Sequence, residues 1–233
     1  MKKIGIIGAM DIEVAGLKEA MQDCRITKRA GMEFCSGLLC GKEAVVVQSG
    51  IGKVNAAMCT QILADLFGVD CVINTGIAGS LNAAINIGDI VISTDAVQHD
   101  VDVTAFGYEK GQVPRLGTYA VEADRELAEL AEQGCRKVNP QIGTFRGRVV
   151  SGDQFVASKE TKKELAGLFE GSCTEMEGAS IAQAAWLNGI PFVILRAISD
   201  KADDSAQMDY DEFERQAAQH CIRLVKGMLA ELA

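Results

Sequence analysis

Five residues in the C-terminal third have the side chains for acid–base chemistry: Glu175, Glu177, Arg196, Ser199 and Asp200. The two glutamates flank Met176, just before a small-residue segment (179–189) that reads as a helix. Pro191 then opens a short apolar run that reads as a buried strand. A parallel strand buried on both faces has no polar side, so Arg196, Ser199 and Asp200 are expected where that strand ends. Ligands of open α/β sheets bind near the carboxyl ends of strands. Three acids and an arginine converging in apolar surroundings perturb one another's pKa values, a common property of active sites. Taken singly, Asp200 is equally a cap for the next segment, with Arg196 as its ion-pair partner. The second acidic position, at a second apolar boundary, favours the functional reading. Glu13 adds a carboxylate from the other end of the chain, in the first turn of an expected helix just past a strand. The helix dipole favours an acid there whatever its role.

The elements that must hold these residues alternate along the chain. Residues 3–9 read as a strand and 11–23 as a helix, because Val14, Leu17, Lys18 and Met21 recur at helical spacing, with Asp11 near its N-cap. Strands are expected over 25–30, 33–39 and 43–49, separated by Gly31 and Gly41, as an antiparallel hairpin or meander. A helix over 54–67 follows, then a strand over 70–74 that ends in a glycine-rich turn, 75–80, able to present backbone N–H groups to a ligand oxygen. Further strands are expected over 88–93 and 143–151, and helices over 122–137, 159–169 and 209–232. The pattern predicts one α/β domain over 1–233 with a mixed central sheet.

Two glycine motifs fail their tests. Gly52-Lys53 does not complete a phosphate loop: Val47 stands where the first glycine belongs and Val54 where Ser or Thr would bind magnesium. Gly76-x-x-Gly79 falls short of a dinucleotide fingerprint. In the long loop 99–111, His99 beside Asp100 and Asp102 suggests a metal site or a base, but no third ligand stands at a usual spacing. Phe106 and Tyr108 on that loop suit an interface or a lid, or folding back onto their own domain.

Composition narrows the classes. With 233 residues, 48% of them hydrophobic, the chain can bury one sizeable core. Only 5% aromatics against 24 glycines favours closely packed helices and tight turns over a β-sandwich. A net charge of -9 discourages nucleic acid and anionic membranes and leaves a small neutral or zwitterionic ligand open. Eight cysteines lie scattered, with no C-x-x-C and no zinc spacing. Reduced, mostly buried thiols in a cytoplasmic protein are therefore expected. The apolar run after Met1-Lys2-Lys3 meets Asp11 and Glu13 too soon for a signal-peptide core or a membrane span.

Four segments taken in order resemble one family: Gly5-Ile6-Ile7-Gly8-Ala9-Met10-Asp11-Ile12-Glu13-Val14; Ser49-Gly50-Ile51-Gly52-Lys53-Val54-Asn55-Ala56-Ala57; Val150-Ser151-Gly152-Asp153-Gln154-Phe155; and Glu175-Met176-Glu177 with Arg196-Ala197-Ile198-Ser199-Asp200. With residues 102–108, the set resembles the bacterial 5′-methylthioadenosine/S-adenosylhomocysteine nucleosidases of the nucleoside phosphorylase/uridine phosphorylase-like superfamily. The likeness runs over nearly the whole chain. It implies a three-layer α/β/α sandwich with a twisted mixed sheet, a homodimer, and neither cofactor nor metal. It implies hydrolysis of the N-ribosidic bond, with Glu13 as the base that activates water and Asp200 as the acid that protonates adenine N7. Glu177, beside Met176, matches the carboxylate that binds the ribose hydroxyls. Phe155 matches the ring stacked on adenine, and Val156 the residue whose backbone pairs with the base edge. Ser199 and Arg196 match residues near the ribose and the acid. Met10, Ile51, Ala78 and Gly79 fall at further substrate-binding positions, and Phe106 and Tyr108 match aromatics lent by the partner subunit to the alkylthio end. Ile77 departs from the pattern, since many relatives carry a small or hydroxylated residue there.

That chemistry suits these residue types. Adenine leaves poorly as an anion, so an acid must hold a proton near neutral pH, and partial burial raises an aspartate pKa. Water needs a base, and Glu13 near a helix N-terminus has a reason to stay charged. Two acids in different environments supply both roles. A carboxylate on the 2′- and 3′-hydroxyls would stabilise the ribosyl cation. Three rivals remain: a phosphorylase of the same superfamily, a hydrolase of a related adenine nucleoside such as aminodeoxyfutalosine, and a non-catalytic nucleoside sensor. Phosphate needs a cluster of cationic donors, and near the glycine turns only Lys53 is present.

Overall fold

A computed structural model describes residues 3–203 and 205–232; Met1 and Lys2 of the N-terminal reading lie outside them. In chain order the elements are β1 (Ile4–Gly8), α1 (Asp11–Lys18), β2 (Gln22–Arg29), β3 (Met32–Leu39), β4 (Lys42–Gln48), α2 (Lys53–Ile62), β5 (Cys71–Ser80) and β6 (Ile90–Gln98). There follow β7 (Val121–Glu122), α3 (Arg125–Val138), β8 (Thr144–Ser151), α4 (Lys159–Phe169), β9 (Cys173–Glu175), α5 (Gly178–Leu187), β10 (Phe192–Asp200) and α6 (Ala206–Glu231).

Period-two alternation decides the layers. Ile4 and Ile6 of β1, Val46 of β4 and Val193 and Leu195 of β10 point to one side, where Val14, Leu17, Ala131, Leu224 and Val225 of α1, α3 and α6 cover them. Ile7, Val45, Val47 and Ile194 point to the other side, against Ala56 and Cys59 of α2 and Ile181, Ala182 and Ala185 of α5. The small residues of α5 let that helix lie close to the sheet. The result is helices, sheet, helices: the expected α/β/α sandwich. Leu165 and Phe169 of α4 form a smaller cluster with Val97, Val150 and Ala202.

The sheet order is β10-β6-β8-β9-β5-β1-β4-β3-β2, with β7 on β6 and a second pairing of β10 with β5. The pairings of β5 with β10, β10 with β6, β6 with β8, β8 with β9 and β9 with β5 close a ring at one end. One edge of β5 pairs with β1 through Cys71–Asn74 and then with β9 at Gly79 and Ser80. At that fork the ends of β1, β9 and β10 meet.

Several expectations need correcting. Helix α1 stops at Lys18, capped at its start by Met10 rather than Asp11, and the chain beyond it becomes the exposed edge strand β2. Residues 75–80 are not a turn: β5 runs through them, hydrogen-bonded to β10. Their glycines answer to space instead, because a Cβ on Gly76 would collide with Arg196 and Glu13, and one on Gly79 would come within 2.6 Å of Asp200 Oδ1. Arg196 is mid-strand rather than at the strand end. Helix α2 ends at Ile62 and continues as one π-helical turn, Leu63–Phe67, closed by Gly68 in the left-handed region. The cysteines are not all free: Cys24 and Cys35 form a disulfide between neighbouring strands, and six thiols remain, five of them buried.

Candidate active site

The fork encloses a cavity of about 520 Å³, a size that suits a nucleoside-scale ligand. Glu13, Glu177 and Asp200 all line it, although they come from α1, the start of α5 and the end of β10. Each is buried in a way its local chain dictates.

Glu13 is the third residue of α1. Its Oε2 accepts the N–H groups of Ala9 (2.7 Å) and Met10 (3.0 Å), which are free because a helix start leaves its first donors unpaired. Its Oε1 accepts the Ile77 N–H of β5 at 3.0 Å. Ile77 thus serves through its backbone, while its side chain joins the core. Burial raises the Glu13 pKa, and the Arg196 charge and the three N–H donors only partly counter this. The helix start therefore does not leave Glu13 an ordinary carboxylate, as the sequence reading expected.

Glu175 anchors the next group. It accepts both the Glu177 N–H (3.2 Å) and the Gly178 N–H (2.8 and 3.0 Å to its two oxygens), so it caps α5. It also takes the hydroxyl of Ser151 and ion-pairs with Arg196. Arg196 reaches Asn74 Oδ1 at 2.6 Å and Glu177 Oε2 at 3.9 Å. Burial opposes the guanidinium charge, but Glu175, Glu13 and Glu177 outweigh it and hold the proton on. Arg196 consequently pairs with Glu175, not Asp200, and stands behind the cavity wall rather than in it.

One cation among three buried carboxylates leaves an excess of negative charge. Burial, then the Glu175 charge, raises the Glu177 pKa from 4.5 to about 7. Its Oε1 accepts the Gly52 N–H at 2.8 Å. Asp200 is buried at the end of β10, holding the Ser199 hydroxyl and the Ala202 N–H, each at 2.8 Å. Burial raises its pKa too, against those two donors.

The remaining wall is apolar: Met10, Ile51, Ala78, Gly79, Phe155 and Met176 line it. Val156 lies in a small extension of the cavity that also touches Gly79, Phe155 and Asp200. Phe155 stands edge-on to Tyr210 with ring centres 5.8 Å apart. Phe106 and Tyr108 do not line the cavity of their own chain; Phe106 is 82% exposed. The metal site or base that His99 and its two aspartates suggested does not assemble among the described residues. Asp100 is bound by Lys53 and Asp102 by Thr104, and His99 Nε2 has no hydrogen-bond partner among the described residues.

Thr174, Gln207 and Tyr210 line the cavity and escaped the sequence reading. Thr174 Oγ1 is buried without a hydrogen-bond partner among the described residues, and its place beside Glu175 was the available signal. Gln207 and Tyr210 sit in the first turns of α6, where the sequence reading saw only an amphipathic closing helix. Tyr210 reaches across the cavity, its hydroxyl 3.2 Å from Met10 Sδ.

Comparison with known proteins agrees with this geometry. The Phosphorylase superfamily model matches residues 3–230. A 5′-methylthioadenosine/S-adenosylhomocysteine nucleosidase of Bacillus cytotoxicus is 44% identical over 231 residues, 99% of each chain. The nucleosidase of the same name from Colwellia psychrerythraea, solved in complex with adenine, superimposes with a TM-score of 0.95 at 43% identity over 99% of this chain and 96% of that one. A futalosine hydrolase of Helicobacter pylori reaches a TM-score of 0.94 at 38% identity, covering 99% and 98%. With the fold, the three-carboxylate cavity and these full-length likenesses in agreement, the chain belongs to the phosphorylase superfamily and, within it, to the 5′-methylthioadenosine/S-adenosylhomocysteine nucleosidase family.

Proposed function

We propose that the chain hydrolyses the N-ribosidic bond of 5′-methylthioadenosine and S-adenosylhomocysteine, releasing adenine and the 5-thioribose product. The observation that carries this is that Glu13, Glu177 and Asp200, from three separate elements, line one cavity, with Arg196 the one guanidinium beside Glu175 and Glu177. A cavity lined this way favours a developing ribosyl cation over a neutral ground state. Asp200, whose pKa burial raises, gives its proton to adenine N7 as the C1′–N9 bond breaks. Water adds its oxygen to C1′ and passes a proton to Glu13, which three backbone N–H groups hold at the cavity wall. Glu177 holds the ribose hydroxyls, Phe155 lies over the base, Val156 pairs through its backbone with the base edge, and Ser199 orients Asp200. Met10, Ile51 and Tyr210 form the apolar end for the alkylthio group.

A phosphorolytic route fits this cavity poorly. No lysine, arginine or histidine lines it among the described residues. The Lys53 ammonium is committed to Asp100 at 2.6 Å, and a phosphate dianion would face carboxylates. Residues 1–233 act as one domain in this reading, in the cytoplasm. No helix among the described residues is long and apolar enough to cross a membrane. Val54 and Met58 of α2 and Trp186 and Leu187 of α5 are exposed apolar side chains, as is Phe106. A homodimer would cover them and bring Phe106 and Tyr108 to the partner's cavity.

The test is adenine release from 5′-methylthioadenosine in phosphate-free buffer, with Asp200→Asn as the control variant. Wild type should release adenine without phosphate, and Asp200→Asn should lose about 10²-fold or more in turnover. Release only after phosphate is added would reverse the assignment. Aminodeoxyfutalosine in the same assay measures the second activity suggested by the likeness to the Helicobacter pylori futalosine hydrolase.

A further inference from the structure

Two features set aside in the sequence, Gly52-Lys53 and the Asp100 that follows His99, meet beside the cavity. The Lys53 ammonium donates to Asp100 Oδ1 at 2.6 Å and to Gln98 Oε1 at 3.1 Å. The other oxygen of Asp100 accepts the Asp153 N–H at 2.9 Å. The Asp153 carboxylate in turn accepts the Lys53 N–H at 2.8 Å. The three residues thus close a ring. Lys53 and Asp100 are mostly buried, at 19% and 15% side-chain exposure, so solvent screens the pair little. Burial opposes the Asp100 charge, yet its hydrogen bonds from Lys53 and Asp153 hold its pKa below the ordinary value.

The ring touches three functional segments. Asp153 is two residues from Phe155, the ring assigned to adenine. Asp100 begins the loop that carries Phe106. Lys53 follows Gly52, whose N–H donates to Glu177. Gly52 has φ +97°, and a Cβ there would lie 3.1 Å from Asp153 Oδ1, so this turn admits glycine alone without strain. As the N-cap of α2, Gly52 has no side chain to bind the first N–H groups. Asp153 and Glu177 supply those acceptors from elsewhere in the fold. The start of α2 therefore ties the ribose-holding carboxylate to the loop that carries the adenine-stacking ring.

We propose that Lys53 and Asp100 are positioning residues that brace the two loops around Glu177, setting affinity for the nucleoside rather than the bond-breaking rate. The inference rests on the nucleosidase reading above. Neither residue lines the cavity, so neither can touch the reacting atoms. Without the ammonium, Asp100 keeps an uncompensated, mostly buried charge, and the Asp153 loop loses its fixed end.

The experiment is a double-mutant cycle of Lys53→Met and Asp100→Ala, read by steady-state kinetics and by hydrogen exchange. Each single variant should raise KM for 5′-methylthioadenosine about tenfold while kcat stays within about twofold. The double variant should be no worse than the poorer single, because both remove the same contact. Exchange over residues 100–106 and 153–157 should quicken in all three. Additive losses, a fall in kcat at unchanged KM, or a lower melting temperature with wild-type KM would each overturn the proposal. Inactive wild type would sink the nucleosidase reading instead, and the exchange measurement would still decide whether the ring holds both loops.

Discussion

One guanidinium facing three carboxylates is a poor arrangement for stability and a good one for a cation. Removing a charge from water costs several kcal/mol unless it is paired, and Arg196 cannot fully pair Glu13, Glu175 and Glu177 together. The folded chain meets this by raising carboxylate pKa values, most visibly at Glu177, from 4.5 to about 7. An acid whose pKa is higher in the folded state than in the unfolded chain stabilises the fold most below the unfolded value. That contribution fades as pH rises through the folded value. For Glu177 the window runs from 4.5 to about 7. Glu177→Gln is therefore expected to raise the thermal stability of the substrate-free protein at pH 8 and to flatten its decline between those values. Melting curves across pH check this; a variant less stable than wild type at pH 8 would show that Glu177 is not under strain. The same substitution should weaken nucleoside binding, so stability and function oppose each other here.

At the scale of elements, the site depends on β5 lying flush against side chains from β10 and α1. Strands β1, β4 and β10 were legible because each is a short apolar run set off by charged residues, glycine or proline. The course of β5 beyond Asn74 was not, because glycines signal a turn when read locally. What keeps Gly76 and Gly79 small is Arg196, Glu13 and Asp200, more than 60 residues away in sequence from one or the other. Gly76→Ala would push a methyl group into the Arg196–Glu13 contact. Overpacking of this kind costs about 1–3 kcal/mol, and here it also displaces Glu13, the proposed base. The expected result is a melting point lower by several degrees and turnover reduced well beyond what that stability loss explains. Thermal melts paired with kinetics at a temperature where both proteins are fully folded separate the two. The end of α1 was misread for a similar reason: helical spacing continued to Met21, past the point where tertiary contacts turn the chain into β2.

At the scale of the molecule, the exposed apolar residues of α2 and α5 lie on the helix layer opposite α1, α3 and α6. Val54 is 76% exposed and Phe106 82%, an odd use of large hydrophobes unless another surface covers them. A second copy is the proposed cover. Val54→Asp should then convert a dimer to a monomer in sedimentation analysis. It should also weaken binding of alkylthio nucleosides, because the partner's Phe106 would be withdrawn, while adenine alone binds nearly as before. A wild-type protein that sediments as a monomer would remove this account of Phe106 and Tyr108.

The sequence alone determined the α/β class, the three acids that the fold brings to one cavity and the family likeness. These depend on local periodicity and on residue types kept in order along the chain. Only the tertiary structure decided which charges share a space. It paired Arg196 with Glu175 rather than Asp200, turned Lys53 away from the cavity toward Asp100, and brought Tyr210 from the last helix to Met10 near the first. Such choices depend on burial and on distances of a few ångströms between residues far apart in the chain, and no spacing along a sequence encodes those directly.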